Sequence, residues 1–312
     1  MNTTTHRTTI DLDALGGLFP HRVATASELL GLGLPGTELA VRCRPRGQWQ
    51  HVLPGILLLS RTPPSRAQLV CAALRYGGPG TLLTGLDALQ LHGMRALPAT
   101  GPVQILVTRA VEASPKLRIT RVRHPPPPVL RRGFLTAPPA RAAVDAAKSL
   151  HLRDDIRAVL TEVVRHGGVT VPDLSPGLAR GPEQARQVLS ELADGVRSVP
   201  QAWARAVLDD LPLPPPAWGV HLESVEGRPL GTADAWWPDL ALAWQFTTQA
   251  PRKDLLTAAG AVVLHTPPSR LRQSPAAVAQ DLQRAATQAT TRPSPRINPT
   301  RLPHTRSSPQ TR

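Results

Sequence analysis

Several features are rare or missing in this sequence, and each absence excludes a class of protein. The 312 residues include two cysteines, Cys43 and Cys71, which form neither a CxxC pair nor a disulfide framework. This excludes a disulfide-stabilised secreted scaffold and favours a reducing compartment. No apolar run approaches the roughly 20 residues that span a bilayer, and no signal-peptide core lies near the N-terminus. We therefore expect a cytoplasmic protein without a membrane partner.

Clusters of metal-binding residues are also missing. The ten histidines are scattered, without HxH or HExxH spacing and without a neighbouring cysteine pair. Zinc sites need such clustered ligands, so we expect no metal and no other cofactor. Aromatic residues make up only 3% of the chain, whereas proline occurs 35 times, which predicts several small cores separated by breaks. The length allows about two or three domains.

Positive charge is what the sequence has in excess. The net charge is +14, and arginine supplies nearly all of the positive charge because Lys116, Lys148 and Lys253 are the only lysines. A strongly basic protein attracts polyanions, of which nucleic acid is the obvious cytoplasmic example. Arginine and proline also rise with genomic GC content, so composition alone does not decide between DNA binding and codon usage.

The N-terminal third has the pattern of a winged helix-turn-helix. Thr25 and Glu28 form a capping box that predicts the start of a helix. Gly31 and Gly33 predict a turn, and residues 37–43 a third helix, after which residues 48–52 and 55–60 read as a hairpin. Two short helices joined by a turn and followed by a hairpin are typical of a winged DNA-binding domain, which we place at residues 10–62, after a disordered 1–9.

Basic residues surround this predicted domain. The candidate DNA contacts are Thr37, Arg42, Arg44, Arg46 and His51. The alternative is a solvated basic surface on a small packing domain. We favour DNA contact because the positive charge and the helix-turn-helix order coincide. Trp49 is predicted to anchor the hairpin in the core, since base-stacking residues usually repeat along a binding surface.

The middle of the chain, residues 63–150, is predicted to be an α/β domain. Helices are expected at 65–76, at 85–92 with Thr84 as its cap, and at 140–150. Strands are expected at 103–108, 117–122 and 131–136. Arg118, Arg121 and Arg123 lie on or beside a strand, where they either extend a DNA-binding track or protect a sheet edge from pairing. His92 and Asp145 are predicted to have structural roles. Residues 151–195 follow as a helical connector.

The last third carries a fixed order of hairpin, helix and strand. Strands are predicted at 232–237 and 240–246, a helix at 251–259 and a further strand at 261–265. A magnesium-dependent nuclease built on this order needs an aspartate on one strand and an acidic pair, at i and i+2, on the next. Asp234 fills the first position, but Gln245 and Thr247 fill the others. One carboxylate should hold Mg²⁺ poorly, because the ion prefers anionic oxygen ligands.

These segments resemble a known family. The stretches ADAWWPD, LAWQFTT and LLTAAGAVVLHTPPSRLR, with SVPQ and PLPPPAWGV before them, are similar to the C-terminal region of an actinobacterial family whose N-terminus is an AbiEi-type (type IV) antitoxin domain. That C-terminal region is itself similar to the very-short-patch-repair branch of the PD-(D/E)XK endonucleases. The chain departs from the pattern at the acids, since Gln201, Gln245 and Thr247 replace acidic residues and Gly219 replaces an asparagine.

The fold class predicted from these observations is α+β: an N-terminal winged helix-turn-helix, a middle α/β domain and, at 196–286, a C-terminal restriction-endonuclease-like domain. Residues 287–312, in which arginine is the only charged type, are predicted to be a disordered basic tail. We expect a DNA-binding regulator of antitoxin type whose nuclease site, at Gln201, Asp234, Gln245 and Thr247, is vestigial. Two alternatives stay open: an active endonuclease that pairs Asp234 with Asp239 or Glu223, and a subunit that binds a toxin or another protein.

Overall fold

The chain folds as a mixed α+β protein. The computed structural model describes residues 15–246, 253–291 and 297–301, and these divide into two compact units, one ending at Leu189 and the other beginning at Ser190. Three sheets occur in the described residues, two in the first unit and one in the second. No helix in the described ranges is long and apolar enough to cross a membrane.

The first unit begins with short helices around a small sheet. Its elements are α1 (Leu15–Leu18), β1 (Val23–Thr25), α2 (Ala26–Gly31), α3 (Gly36–Arg42), β2 (Gln50–Leu53) and β3 (Ile56–Leu58). The sheet is antiparallel, in the order β1-β3-β2. The predicted capping box starts α2, since the Thr25 side chain accepts from the backbone N–H of Glu28 and the Glu28 carboxylate accepts from that of Thr25. Trp49 is buried at 5% exposure with Leu29 and Leu57, which confirms its role as a core anchor.

A five-stranded mixed sheet forms the rest of the first unit's α/β region. Its elements are α4 (Arg66–Gly77), β4 (Leu82–Thr84), α5 (Gly85–Leu91), β5 (Val103–Val107), β6 (Leu117–Arg121), β7 (Val129–Arg131), β8 (Phe134–Thr136) and α6 (Pro139–Ser149). The strand order is β6-β5-β4-β8-β7, so β6 is an edge strand. β5 is fully buried, which agrees with its continuous apolar run around Gln104.

Polar side chains tie this sheet to its helices. The Thr84 hydroxyl makes no cap hydrogen bond, contrary to the prediction, and instead donates to Oδ2 of Asp145 at 2.6 Å. Asp145 also pairs with Arg141 on the same helix, so its structural role is clear. His92 lies 2.9 Å from the carbonyl oxygen of Ala137, and its burial lowers the pKa of its imidazole.

Three helices follow: α7 (Arg153–His166), α8 (Val171–Leu178) and α9 (Glu183–Ala193). The helix α8 begins at Val171, within the region predicted as a helical connector. Thr170 and Asp173 form a capping box there, and Pro172 occupies the first turn, where proline needs no hydrogen-bond partner. The predicted strand at 131–136 is wrong, because the structure has a hairpin of β7 and β8 there. The hairpin turns at Arg132 and Gly133, whose φ angles are 47° and 82°.

The second unit is a five-stranded sheet with helices on both faces. Its elements are α10 (Val199–Asp209), β9 (Ala217–Glu223), β10 (Pro229–Trp237), β11 (Leu242–Gln245), α11 (Lys253–Ala258), β12 (Val262–His265), α12 (Pro268–Gln273), α13 (Pro275–Thr290) and β13 (Asn298–Arg301). The strand order is β12-β11-β10-β9-β13. Trp237, Trp244 and Phe246 pack with α10, α12 and α13, whereas Trp236 packs with Leu256 of α11.

The structure contradicts the prediction of disorder for the described part of residues 287–312. α13 continues to Thr290, with Ala289 buried, and β13 pairs antiparallel with β9 from Asn298 opposite Glu223 to Arg301 opposite Val220. The polar composition suggested disorder, but the backbone N–H and C=O groups of β9 offer a partner that composition does not reveal. The remaining tail residues, and the predicted disordered segment 1–9, lie outside the described ranges.

Candidate functional site

The predicted DNA-binding residues near the N-terminus fall on α3, on the loop that follows it and on β2. Thr37 lies in the first turn of α3, Arg44 and Arg46 lie in the loop, and His51 lies on β2. All four side chains are exposed. Within the described ranges, Arg44, Arg46 and His51 form no ion pair. The structure therefore presents four of the five predicted residues to solvent.

Close backbone packing holds this loop in place. The N–H of Trp49 donates to the carbonyl oxygen of Arg42 at 3.0 Å, which turns the chain back against the end of α3. A Cβ atom at Gly47 would lie 2.1 Å from that same oxygen, so only glycine fits there. Arg46, at φ 72°, adopts the left-handed conformation that reverses the chain direction. The loop is thus anchored by Trp49 in the core, while its arginine side chains remain outside.

Arg42, the fifth predicted DNA contact, is engaged within the fold. Its Nε donates to the Glu38 carboxylate at 3.0 Å, and its guanidinium carbon lies 5.6 Å from the centre of the Trp49 ring. Only 22% of the side chain is exposed. A cation that is paired with a carboxylate and packed on an indole has less charge to offer a phosphate. We therefore assign Arg42 to the packing of α3 and leave it out of the candidate interface.

The second group of predicted contacts does not form one basic track. Arg118 and Arg121 both lie exposed on β6, but side chains three residues apart on a strand point to opposite faces. Arg123 lies beyond the end of the strand and is also exposed. Because β6 is an edge strand of its sheet, the alternative that these charges protect the edge fits the observed topology.

Asp234 and Gln245 of the nuclease-like hairpin are brought together. The ladder between β10 and β11 runs from Trp237 opposite Leu242 to Ala235 opposite Trp244. Asp234 and Gln245 are the residues that follow its last pair. The side chain of Gln245 alternates with that of Trp244 and so lies on the face of β11 that carries Ala243. Asp234 and Gln245 therefore lie at the same end of this ladder.

Hydrogen bonds to the backbone engage both side chains. Oδ2 of Asp234 accepts from the N–H of Phe246 at 2.6 Å, and Nε2 of Gln245 donates to the carbonyl oxygen of Thr232 at 2.7 Å. Gln245 is 6% exposed, and its Oε1 is buried without a hydrogen-bond partner in the described structure. The Thr232 bond fixes which end of the amide carries the NH₂ group. The amide therefore acts as a structural donor that a carboxylate could not replace.

Gln201, another of the predicted vestigial residues, is held locally on α10. Its Oε1 accepts from the N–H of Arg197 at 2.7 Å, and its own N–H donates to the Ser198 hydroxyl that caps the helix. Gln201 is buried at 7% exposure. This is the geometry of an N-terminal helix cap, which a glutamine performs as well as a glutamate. Thr247, the last predicted residue of the set, lies outside the described ranges.

An active enzyme would have to pair Asp234 with Glu223 or Asp239, but these residues are spread along the sheet. Glu223 lies opposite Pro229, five strand residues from Asp234, which corresponds to roughly 16 Å. Asp239 lies in the turn at Pro238–Leu240, and β10 continues for three residues, roughly 10 Å, between Asp234 and that turn. Across the described residues, His, Cys, Asp and Glu side chains do not gather in groups of three that could hold a metal ion.

Two features of this region could not be read from the sequence. Gly219, which replaces an asparagine of the resembling family, has φ 59° inside β9, so its backbone conformation favours glycine. The indole N–H of Trp236 is buried without a partner, on the same sheet face as Gln245. The sequence pattern predicts that Gly219 and Trp236 lie in strands. Their backbone conformation and hydrogen bonding depend on which residues they face on the neighbouring strand.

Comparison with protein-family models gave no match, and neither did comparison with curated proteins. Among solved structures, the chain is similar to the RV2827C protein from Mycobacterium tuberculosis, with 18% sequence identity and a TM-score of 0.40. The similarity covers 61% of this chain and 78% of that chain. The proposals that follow rest on the residues of this chain alone.

Proposed function

We propose that this protein is a DNA-binding regulator of antitoxin type, with a winged helix-turn-helix at its N-terminus and a nuclease-like C-terminal domain that does not cut DNA. The observation that carries the proposal is the order α2, turn, α3 and β2–β3 hairpin, with exposed basic side chains on the loop between α3 and the hairpin. In winged domains the second helix of this motif enters the major groove and the hairpin approaches the backbone.

The charge of the exposed loop supports contact with phosphates. Arg44 and Arg46 project from a loop that Gly47 and Trp49 hold rigid, and no carboxylate in the described ranges pairs with them. Arginines on a loop whose backbone is held in place can bind phosphates without reordering the loop, and they release counterions from DNA. Thr37, in the first turn of α3, occupies the part of a recognition helix that usually reaches base edges.

The C-terminal domain supports binding without scission. Asp234 accepts a hydrogen bond from the backbone N–H of Phe246, and Gln245 is an amide whose NH₂ group donates to the Thr232 carbonyl oxygen. In-line cleavage by a metal ion requires anionic ligands that hold the ion beside the phosphate. The domain is therefore proposed as a scaffold or partner surface.

The test is equilibrium binding to a fluorescein-labelled DNA duplex of random sequence, followed by anisotropy at increasing salt. The affinity should fall steeply with salt, and the slope of log K against log salt should become less negative by about one for each phosphate-contacting arginine that is replaced. Arg44→Gln and Arg46→Gln should each show this change. The matched control is Arg180→Gln, an exposed arginine after α8. A slope near zero, or an equal loss in the control, would contradict the proposal.

A further inference from the structure

The hairpin of β7 and β8 presents an apolar pair of side chains to solvent. Leu130 and Leu135 lie opposite each other on the two strands and are 63% and 41% exposed. The next pair, Arg131 and Phe134, lies on the other face by side-chain alternation, and Phe134 is buried there. The leucine face therefore points away from the core. Adjoining exposed leucines are a candidate contact surface, whereas scattered single ones are normal on any protein.

Positive charge borders this leucine face. Nη1 of Arg131 donates to the carbonyl oxygen of Leu130 at 3.2 Å, which places the guanidinium beside the leucine, and Arg132 lies in the turn. Both arginines are exposed, and no carboxylate in the described ranges pairs with them. The sequence has no acidic residue between Glu112 and Asp145. An apolar surface bordered by such cations fits a partner that is both anionic and apolar.

The β7–β8 hairpin is held in one conformation. Arg132 and Gly133, with φ angles of 47° and 82°, both have the positive φ that the favoured two-residue hairpin turn requires. Phe134 stacks on His21, with ring centres 5.1 Å apart. His21 lies two residues before β1, the first strand of the predicted winged domain. The stacking contact therefore fixes the β7–β8 hairpin beside the start of that domain.

We propose that the β7–β8 hairpin is a second DNA-contacting element of this protein. The leucine face lies against the bases in a groove, where leucine side chains wedge between base steps, and Arg131 and Arg132 bind the phosphates that border the groove. Two-stranded ribbons fit into DNA grooves, and DNA combines an anionic backbone with apolar base surfaces. This inference rests on the proposed DNA binding and adds a contact outside the winged domain.

A second copy of the chain is the alternative occupant, because β7 is an edge strand of its sheet. Two copies paired along β7 would bring Arg131 and Arg132 of both copies to one interface. The β7–β8 hairpin has no acidic residue to offset these like charges. The charge therefore favours DNA over a second copy.

The test repeats the DNA-binding measurement on the full chain with variants of the β7–β8 hairpin. Leu130→Gln should weaken binding about tenfold without changing the salt slope, because an apolar contact is lost and no charge is removed. Leu135→Gln should act in the same direction. Arg132→Gln should weaken binding and make the slope less negative by about one. The matched controls are Leu152→Gln, at a leucine that is 64% exposed, and Arg180→Gln, and neither should alter affinity or slope.

All of these variants should unfold at the wild-type temperature, since the replaced side chains are exposed. If Leu130→Gln and Leu135→Gln bind DNA as tightly as Leu152→Gln, the proposal is overturned. It is also overturned if the wild type self-associates in sedimentation equilibrium and Leu130→Gln abolishes that association, because the leucine face then belongs to a second copy.

Comparison with the winged-domain variants separates this proposal from the proposed function. DNA binding that responds to Arg44→Gln and Arg46→Gln, but not to Leu130→Gln or Arg132→Gln, removes the contact of the β7–β8 hairpin alone. The reverse pattern removes the winged-domain contact alone and leaves that of the β7–β8 hairpin. A wild type that does not bind DNA removes both.

Discussion

Replacing Gln245 by glutamate restores the acidic residue expected at this position of a nuclease hairpin and should destabilise the second unit. The amide NH₂ group donates to the carbonyl oxygen of Thr232 at 2.7 Å, in a side chain that is 6% exposed. A carboxylate would place a negatively charged oxygen against that carbonyl oxygen, beside Asp234, whose Oδ2 accepts from the N–H of the next residue, Phe246. Neither oxygen could donate a hydrogen bond unless the new carboxyl group were protonated.

The expected loss follows from these contacts. A buried carbonyl oxygen left without its donor costs about 1 to 3 kcal/mol, and a buried carboxylate near a second one adds to this. We expect a loss of about 2 to 4 kcal/mol in the free energy of unfolding at pH 7 without metal. Burial and the neighbouring carboxylate raise the folded-state pKa of the new glutamate above its unfolded value. The penalty should therefore grow as pH rises from the unfolded pKa and disappear below it.

The assay is urea unfolding followed by tryptophan fluorescence at pH 5 and pH 7. Five of the six tryptophans lie in the second unit, so the signal reports on that unit. Gln283→Glu, the same change at an exposed position of α13, is the matched control and should alter stability by less than about 0.5 kcal/mol. If Gln245→Glu is as stable as the wild type at pH 7 without metal, the amide does not have the structural role assigned to it.

Three further predictions concern the first unit, each measured by calorimetric unfolding. Asp87→Ala should cost about 1 to 3 kcal/mol, because it leaves the one-third exposed guanidinium of Arg66 without its bidentate partner. Gly85→Ala should cost more than about 2 kcal/mol, because φ is 67° and the new Cβ would lie 1.9 Å from Oε1 of Gln104. Glu162→Gln should remove part of the loss of stability on acidification.

The sign of the Glu162 effect follows from its surroundings. Burial raises the pKa of this carboxyl, but hydrogen bonds from the backbone N–H groups of Arg95 and Ala96, together with His166, outweigh burial and lower the pKa below its usual range. The stabilisation is therefore complete above the unfolded pKa and is lost as pH falls through the folded pKa. If the glutamine variant retained the full acid sensitivity, other groups would be responsible.

A matched glycine separates the two causes of the stability loss expected for Gly85→Ala, which are the left-handed backbone conformation and the clash with Gln104. Gly133 has φ 82°, but a Cβ atom there would meet nothing within 4 Å. Gly133→Ala should therefore show only the cost of the left-handed conformation, about 1 to 2 kcal/mol. Equal losses at the two positions would mean that Gln104 moves aside without cost.

Local signals predicted much of the fold correctly. The capping box of Thr25 and Glu28 and the buried anchor Trp49 were both predicted, because each depends on residues within a few positions of one another. These features depend on short-range periodicity, which sequence reports directly.

Contacts between residues that lie far apart in the sequence were not predicted. β13 was not predicted because its polar segment is a strand only by pairing with β9, more than 70 residues earlier. The side chain of Thr84 was assigned to a helix cap because Asp145, its actual partner, is 61 positions away. Arg42 could be excluded from the predicted DNA contacts only because the structure shows its guanidinium packed on the Trp49 ring across the loop. Composition and local pattern carry no information about such long-range partners.

The central claim is that this protein holds DNA without cutting it. The most direct measurement incubates one sample of protein with labelled duplex DNA and Mg²⁺, and follows both anisotropy and strand integrity. We predict salt-sensitive binding with the strands intact, and the same result for Asp234→Ala. Strand scission by the wild type that Asp234→Ala abolishes would contradict the claim.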